Sequence, residues 1–172
     1  MEAEAYLGSN DPGSHAATKG ITKRNAVMYG PPGRAYVYFT YGNHHMLNLI
    51  TEQEGVAGGV LIRAIEPVFG MEEMHRRRGS SLHGGPPRGL ANGPGKLAAA
   101  LGVDLSLNGS VLGEGALAVY DAPPPEEAVA CSGRIGLSDG HDLELRFFLA
   151  GNPHVSKGRT GSRGARHRRE RG

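Results

Sequence analysis

A β-hairpin signature between residues 33 and 51 constrains the fold more than any other stretch of the sequence. In GRAYVYFTYGNHHMLNLIT, β-branched and aromatic residues lead up to a Gly-Asn pair and resume after it. Gly and Asn readily adopt the positive φ angles that short hairpin turns need. The pattern therefore predicts antiparallel strands near 35–40 and 45–51, joined by a turn through residues 41–44.

The segments that follow the hairpin carry clear stop signals. VLIRAIEP continues the meander as a third strand that ends at Pro67. FGMEEMHRRR (69–78) is predicted to be a helix, because its acidic residues lie near the start and its arginines near the end. KLAAALGVD (96–104) consists of good helix formers that stop at Gly102.

Two later segments, ALAVYDA (116–122) and LELRFFLA (143–150), are predicted to be strands. Runs of strands with a few helices favour an α+β fold over a repeated βαβ unit. The 28 Gly and 11 Pro residues indicate a loop-rich protein, and a chain of 172 residues fits one domain.

Charge is distributed unevenly along the chain. Residues 157–172 contain seven Lys or Arg and one Glu, a net charge of +6, which leaves residues 1–156 with twelve basic and sixteen acidic residues, a net charge of −4. This tail has almost no apolar side chains and is expected to be disordered. It has two interpretations: a solubilising extension, or a nonspecific attraction to phosphates. With Cys131 as the single cysteine and no leader or membrane span recognised, a cytoplasmic location is expected.

Two glutamates near the start are the candidate acid–base groups. Glu2 and Glu4 are two residues apart on a predicted strand and share a face that Tyr6 continues. A single Glu more often lies on the solvated surface. His44 and His45 are adjacent on an extended segment and point to opposite faces, so no metal site is expected.

The tyrosines of the hairpin allow more than one interpretation. Tyr41 stands beside the turn glycine, Gly42, where a large aromatic side chain has little core to pack against. It can be a wedge that enters the DNA minor groove and replaces an extruded nucleotide, or it can fold back over its own strand. Tyr36 and Tyr38 share one face of their strand, where they can stack on bases or cover the sheet.

The chain carries an ordered series of short motifs. They are EAYLG, a histidine nine residues after its tyrosine, KRN at 23–25, YVYFTYGNHHMLN, LIRAIEP, NGPGKLAAALG, RIG at 134–136 and GNPHVS at 151–156. In this order and spacing they resemble the alkyladenine type of 3-methyladenine DNA glycosylase. The resemblance covers residues 2–156, and the whole series is far more specific than any single motif.

The resemblance implies a hydrolase of base-excision repair that flips an alkylated or deaminated purine from duplex DNA and leaves an abasic site. Glu4 would hold and deprotonate a water beside C1′ of the sugar. Arg63 would help to position this water, and the backbone carbonyl of Ile135 would complete its cage. Glu2 has no such counterpart and is expected to be structural.

The resemblance also implies a base pocket and a DNA contact. Tyr6 would stack on one face of the flipped base, and His15 and Tyr38 would lie on the other. Asn48 would obstruct the exocyclic amino group of normal guanine. Tyr41, beside Gly42, would intercalate into the DNA.

The expected organisation follows from the same resemblance. A glycosylase domain over 1–156, built on a curved and partly barrel-like antiparallel sheet with flanking helices and a protruding hairpin, would precede the basic tail at 157–172. Family members carry further residues upstream, so the chain is expected to be truncated or to start internally, with the strand of Glu4 frayed. Duplex DNA with a damaged purine is the expected partner of a monomer, without metal, organic cofactor or membrane. A catalytically silent nucleic-acid-binding module of the same fold is the alternative.

Overall fold

One open antiparallel sheet organises the residues that the structure, a computed structural model, describes: 1–40, 42–79, 89–113 and 115–157. Within these residues the strands are β1 (Glu2–Tyr6), β2 (Ala35–Thr40), β3 (His44–Ile50), β4 (Gly59–Ala64), β5 (Val129–Ser132) and β6 (Arg146–Leu149). Their order is β2-β3-β4-β1-β6-β5, with β2 and β5 at the edges. The α+β class is confirmed, and the sheet does not close into a barrel. The predictions for Tyr41 and for tail residues 158–172 fall outside the described residues.

The strand that carries Glu4 lies in the interior of the sheet, between β4 and β6. Glu4 is opposite Leu61 on one side and Arg146 on the other. The pairing with β6 continues to the first residue, because the Leu149 N–H donates to the Met1 carbonyl at 3.1 Å. The expectation that β1 would fray is therefore wrong, since ladder hydrogen bonds hold both of its edges.

The predicted hairpin and meander are confirmed. β2 pairs with β3, and β3 pairs with β4, all antiparallel. At the tip Gly42 has a φ of +73°, and the Asn43 N–H donates to the Thr40 carbonyl at 3.3 Å. Gly42 thus supplies the left-handed conformation that the turn requires.

The strand predicted at 116–122 is wrong. Val119 and Tyr120 are 60% and 84% exposed, and the edge position beside β6 is occupied by β5 instead. A segment with strand propensity gains nothing without a neighbouring strand to bond and a face to pack against. The prediction at 143–150 is confirmed for its C-terminal half, which forms β6.

The α-helices in the described ranges are α1 (His15–Lys19), α2 (Met71–Arg78) and α3 (Pro94–Leu101). The second and third confirm the predicted helices, although α3 starts two residues early because Pro94 suits a first helical position. The short α1 was not predicted; the Ser14 side chain accepts from the Ala16 N–H at its start. None of these helices is long and apolar enough to cross a bilayer.

The sheet separates the main core from a cavity. On one face Val37 and Leu47 pack against Leu97 and Ala98 of α3. On the opposite face the alternate residues of the same strands, such as Tyr36, line the cavity. Period-two alternation therefore gives each strand one structural face and one that is open to a ligand.

Candidate active site

A cavity of about 290 Å³ covers the face of the sheet that points away from the main core. Every second residue of three strands contributes to its wall: Tyr36, Tyr38 and Thr40 from β2, Met46, Asn48 and Ile50 from β3, and Gly59, Leu61 and Arg63 from β4. The rest of the wall consists of Tyr6 of β1, Gly13, His15 of α1, Met28, Pro94 and residues 135–137. The cavity thus brings together six residues predicted for the site, namely Tyr6, His15, Tyr38, Asn48, Arg63 and Ile135.

Glu4 lies in a row of directly opposed residues that crosses this face of the sheet. Asn48 is opposite Leu61, and Leu61 is opposite Glu4 on the next strand. Neighbouring strands are separated by about 4.8 Å, so the backbones at Glu4 and Asn48 are about 10 Å apart. The Glu4 side chain is fully buried, and the three residues that contact it line the cavity.

Two hydrogen bonds and one ion pair hold the Glu4 carboxylate. Its Oε1 accepts from the Ile135 N–H at 2.7 Å and lies 3.2 Å from Nη1 of Arg63. Its Oε2 accepts from the Tyr6 hydroxyl at 3.0 Å. An ionised carboxylate offers about four lone-pair positions, two on each oxygen. The described residues fill both positions on Oε1 and one on Oε2, so one acceptor position on Oε2 has no partner among them.

A change of register between β1 and β4 places Arg63 beside both glutamates. Glu2 is opposite Ala64, whereas Ala3 is opposite Ile62, which leaves Arg63 as an extra residue of β4. Bulges of this kind bend a strand and redirect a side chain. Nε of Arg63 donates to Oε1 of Glu2 at 2.9 Å while Nη1 lies against Glu4.

Glu2 has the structural environment that the sequence analysis expected for it. Its carboxylate also accepts from Nε of Arg146 at 2.7 Å and from the backbone N–H of Ser156 at 2.6 Å. Burial would raise the pKa of Glu2, but the hydrogen bonds from Arg146 and Ser156 and the charge of Arg63 hold it below its ordinary value. Glu2 therefore remains an anion, and it accepts the hydrogen bond from Nε of Arg63.

The Tyr6 hydroxyl is a permanent donor to Glu4. Burial, followed by the nearby Glu4 carboxylate, raises the pKa of Tyr6 far above its ordinary value. The phenol therefore stays protonated well above the pH at which an exposed tyrosine ionises. Tyr6 thus presents its ring to the cavity and its O–H to Oε2 of Glu4.

The aromatic side chains opposite Glu4 contact one another. The His15 and Tyr38 rings meet edge to face, with their centres 4.8 Å apart. The Tyr36 hydroxyl lies 3.4 Å from Nδ1 of His15, and burial raises the pKa of Tyr36 to about 12. The guanidinium of Arg24 lies 4.9 Å from the Tyr38 ring centre. These contacts fix a wall of aromatic rings that suits a planar heterocycle.

Asn48 both takes part in hydrogen bonding within the sheet and lines the cavity. Its Nδ2 donates to the Tyr36 carbonyl at 3.2 Å, which is a cross-strand hydrogen bond. The same side chain lines the cavity and is only 7% exposed. The hydrogen bond fixes the amide in the wall, where it occupies space that a ligand would otherwise fill.

The structure shows only part of what was predicted for Ile135 and for the hairpin tip. The backbone N–H of Ile135 donates to Glu4, and the predicted contact of its carbonyl with the water stays a prediction. Gly42 is exposed at the hairpin tip, and Tyr41 lies outside the described residues. A DNA contact at this tip therefore stays a prediction.

Sequence reasoning missed several residues of this region. Met46 lines the cavity, and its alternation with Asn48 could have identified it. Asp11 and Arg134 form a buried ion pair next to Tyr6. Arg134 directly precedes Ile135 in the RIG motif, but nothing in the sequence pairs it with an aspartate more than a hundred residues upstream. Across the described ranges, no three His, Cys, Asp or Glu side chains come together as a metal site.

Comparisons with known proteins found a matching family and similar sequences. A model of the methylpurine-DNA glycosylase (MPG) family matches residues 1–153. A protein of Chlorobaculum parvum named "Putative 3-methyladenine DNA glycosylase" is 49% identical over 164 residues, which cover 94% of this chain and 76% of that protein. A protein of the same name from Methanoculleus marisnigri is 47% identical over 161 residues, which cover 91% of this chain and 81% of that protein.

Proposed function

Because the chain belongs to the methylpurine-DNA glycosylase family, we propose that it is a base-excision-repair hydrolase that flips an alkylated or deaminated purine out of duplex DNA. It then hydrolyses the bond between that base and its sugar and leaves an abasic site. The observation that carries this proposal is a fully buried carboxylate, Glu4, whose three contacting residues all line an aromatic-walled cavity.

The proposed reaction uses Glu4 as the general base. A water held at Oε2 donates its proton to that oxygen while the water oxygen forms a bond to C1′. The bond between C1′ and the base nitrogen breaks, and its electron pair leaves with the base. Positive charge develops on the sugar during this step, and the nearby anionic carboxylate stabilises it. Ile135 and Arg63 keep the other oxygen occupied, so that Oε2 is the oxygen that receives the proton.

The cavity would select the base. Tyr6 stacks on one face of the flipped purine, and His15 and Tyr38 lie against the other. An N-alkylated purine is often cationic, and an aromatic ring face attracts a cation. Asn48 disfavours normal guanine, because its fixed amide obstructs the exocyclic amino group.

The hairpin tip would supply the contact that replaces the flipped nucleotide in the stack. Tyr41 enters the duplex there, beside the turn at Gly42. The protein acts as a monomer, and it needs neither a metal nor an organic cofactor for this hydrolysis. No Schiff-base step is involved, so the product is an intact strand with an abasic site.

The experiment that tests the proposal uses short duplexes, each with one 3-methyladenine analogue, 7-methylguanine, hypoxanthine or ethenoadenine. Each is incubated with the protein and then treated with alkali, which cuts abasic sites. Cleavage of at least one lesion strand only after alkali is the expected result, with an undamaged duplex as the control. Lesion binding without any excision would instead identify a catalytically silent DNA-binding protein.

A further inference from the structure

A buried ion pair next to the candidate active site has no role in the reaction as proposed so far. The side chains of Asp11 and Arg134 are both fully buried, and both Asp11 oxygens accept from the guanidinium. Taking such a pair out of water is costly, and apolar replacements of similar volume are often neutral or stabilising. Stability alone is therefore a weak explanation for this pair.

Arg134 connects several segments that meet behind the cavity. Its Nη1 also donates to the Ala5 carbonyl of β1 at 2.9 Å, and its Nη2 donates to the Gly140 carbonyl at 3.1 Å. The guanidinium lies 4.6 Å from the centre of the Tyr6 ring. Tyr6 lines the cavity whereas Arg134 does not, so the guanidinium lies on the side of the ring away from the cavity.

Ile135, the residue after Arg134, links the ion pair to Glu4. Ile135 donates its backbone N–H to Oε1 of Glu4, so the position of that donor depends on where Arg134 is held. The space around the guanidinium leaves little freedom. A Cβ added at Gly13 would lie 2.7 Å from Nη2 of Arg134 and 2.6 Å from a methyl carbon of Leu137.

We propose that Asp11 and Arg134 form a positioning pair for base excision. The pair holds the Ile135 amide on Oε1 of Glu4, and it supports the Tyr6 ring from behind. With Oε1 occupied in this way, the carboxylate cannot rotate, and Oε2 stays aimed at the water. This role presupposes the glycosylase reaction proposed above, in which Glu4 takes the proton.

Two variants disturb the pair without removing its charges. Arg134→Lys keeps the positive charge but loses the planar fork that bonds two oxygens at once. Gly13→Ala adds one methyl group against the guanidinium. Because Gly13 also lines the cavity, lesion binding is measured beside the rate constant to detect a direct effect on the base pocket. Gly89→Ala is the matched control, because a Cβ at Gly89 meets no atom within 4 Å and the residue has no left-handed φ.

The first measurement is the single-turnover rate constant at saturating enzyme, on the lesion duplex that the unmodified protein excises fastest. We expect Arg134→Lys and Gly13→Ala to lower this rate constant by about 10–10²-fold, the scale of a small misplacement of reacting groups, while lesion binding stays within a few fold. Gly89→Ala should leave it unchanged. A purely structural role would lower the melting temperature and the active fraction but not the rate constant of the saturated complex, and that result would overturn the proposal.

The second measurement does not depend on activity. Hydrogen exchange of the Ile135 amide, followed by NMR in Gly13→Ala and in Asp11→Asn, should become faster relative to the Leu101 amide of α3. Unchanged relative exchange would show that the pair does not hold this amide. If the unmodified protein excises no lesion, the proposed function fails, and exchange still decides whether the pair positions Ile135. If the unmodified protein is active and the rate constants of Arg134→Lys and Gly13→Ala equal its own, only the positioning role fails.

Discussion

Replacement of Glu4 with Gln changes one atom of a fully buried side chain that already has three partners. The amide oxygen can keep the contacts of Oε1 with the Ile135 N–H and with Arg63. The amide nitrogen then faces the Tyr6 hydroxyl, which can turn and accept instead of donating. Arg63 loses one anionic partner but keeps Glu2.

The structure thus separates the effect on folding from the effect on catalysis. The hydrogen bonds from Ile135 and Tyr6 become neutral and the Arg63 contact loses its anionic partner, so the free energy of unfolding should fall by about 1–3 kcal/mol. The rate should fall much further, because an amide cannot take a proton. Loss of a general base costs about 10²–10⁴-fold, or about 3–5 kcal/mol of activation free energy. Loss of the negative charge beside the sugar adds to this deficit.

The assay combines lesion-duplex binding, measured by fluorescence anisotropy, with single-turnover excision under saturating enzyme. Binding should remain within a few fold of the unmodified protein while excision falls below detection. Glu54→Gln is the matched control, because Glu54 is an exposed loop residue and should retain full activity. Excision by the Glu4→Gln variant within a few fold of normal would remove Glu4 from its proposed role.

Three further changes test other parts of the site. Tyr41→Ser should weaken lesion binding by about 1–3 kcal/mol, the value of one stacking contact, and an unchanged signal from a fluorescent base analogue opposite the flip site would refute the wedge. Asn48→Ser should release more undamaged guanine from ordinary DNA, which chromatography of the free bases would detect; no extra guanine would leave Asn48 a purely structural residue. The pKa of Glu2 is lowered in the folded state, so its contribution to stability is present above the unfolded-state pKa and is lost as pH falls through the folded-state value. The melting temperature of the unmodified protein should therefore fall more steeply than that of Glu2→Gln as the pH is lowered from about 6 to about 3. Parallel curves would contradict this.

The sequence by itself determined the local elements and the faces of the strands. Gly-Asn at the hairpin tip, β-branched flanks and the helix stop at Gly102 are local signals, and the structure confirms the elements that they predict. Period-two alternation also placed Tyr36 and Tyr38 on one face of β2, and this face lines the cavity. Predictions from such signals hold in the folded protein because each depends only on the conformations available to a few neighbouring residues.

The tertiary structure alone decided which distant segments meet. The segment at 116–122 has strand propensity but forms no strand, because it pairs with none of the strands of the sheet. β1 does not fray, because it lies between two strands that follow it much later in the chain. Glu4 becomes a buried and oriented carboxylate only where Arg63 and Ile135 converge on it. These contacts join residues separated by tens to more than a hundred positions, and the free energy that selects them comes from burial and pairing in the assembled sheet, which no local pattern of residues contains.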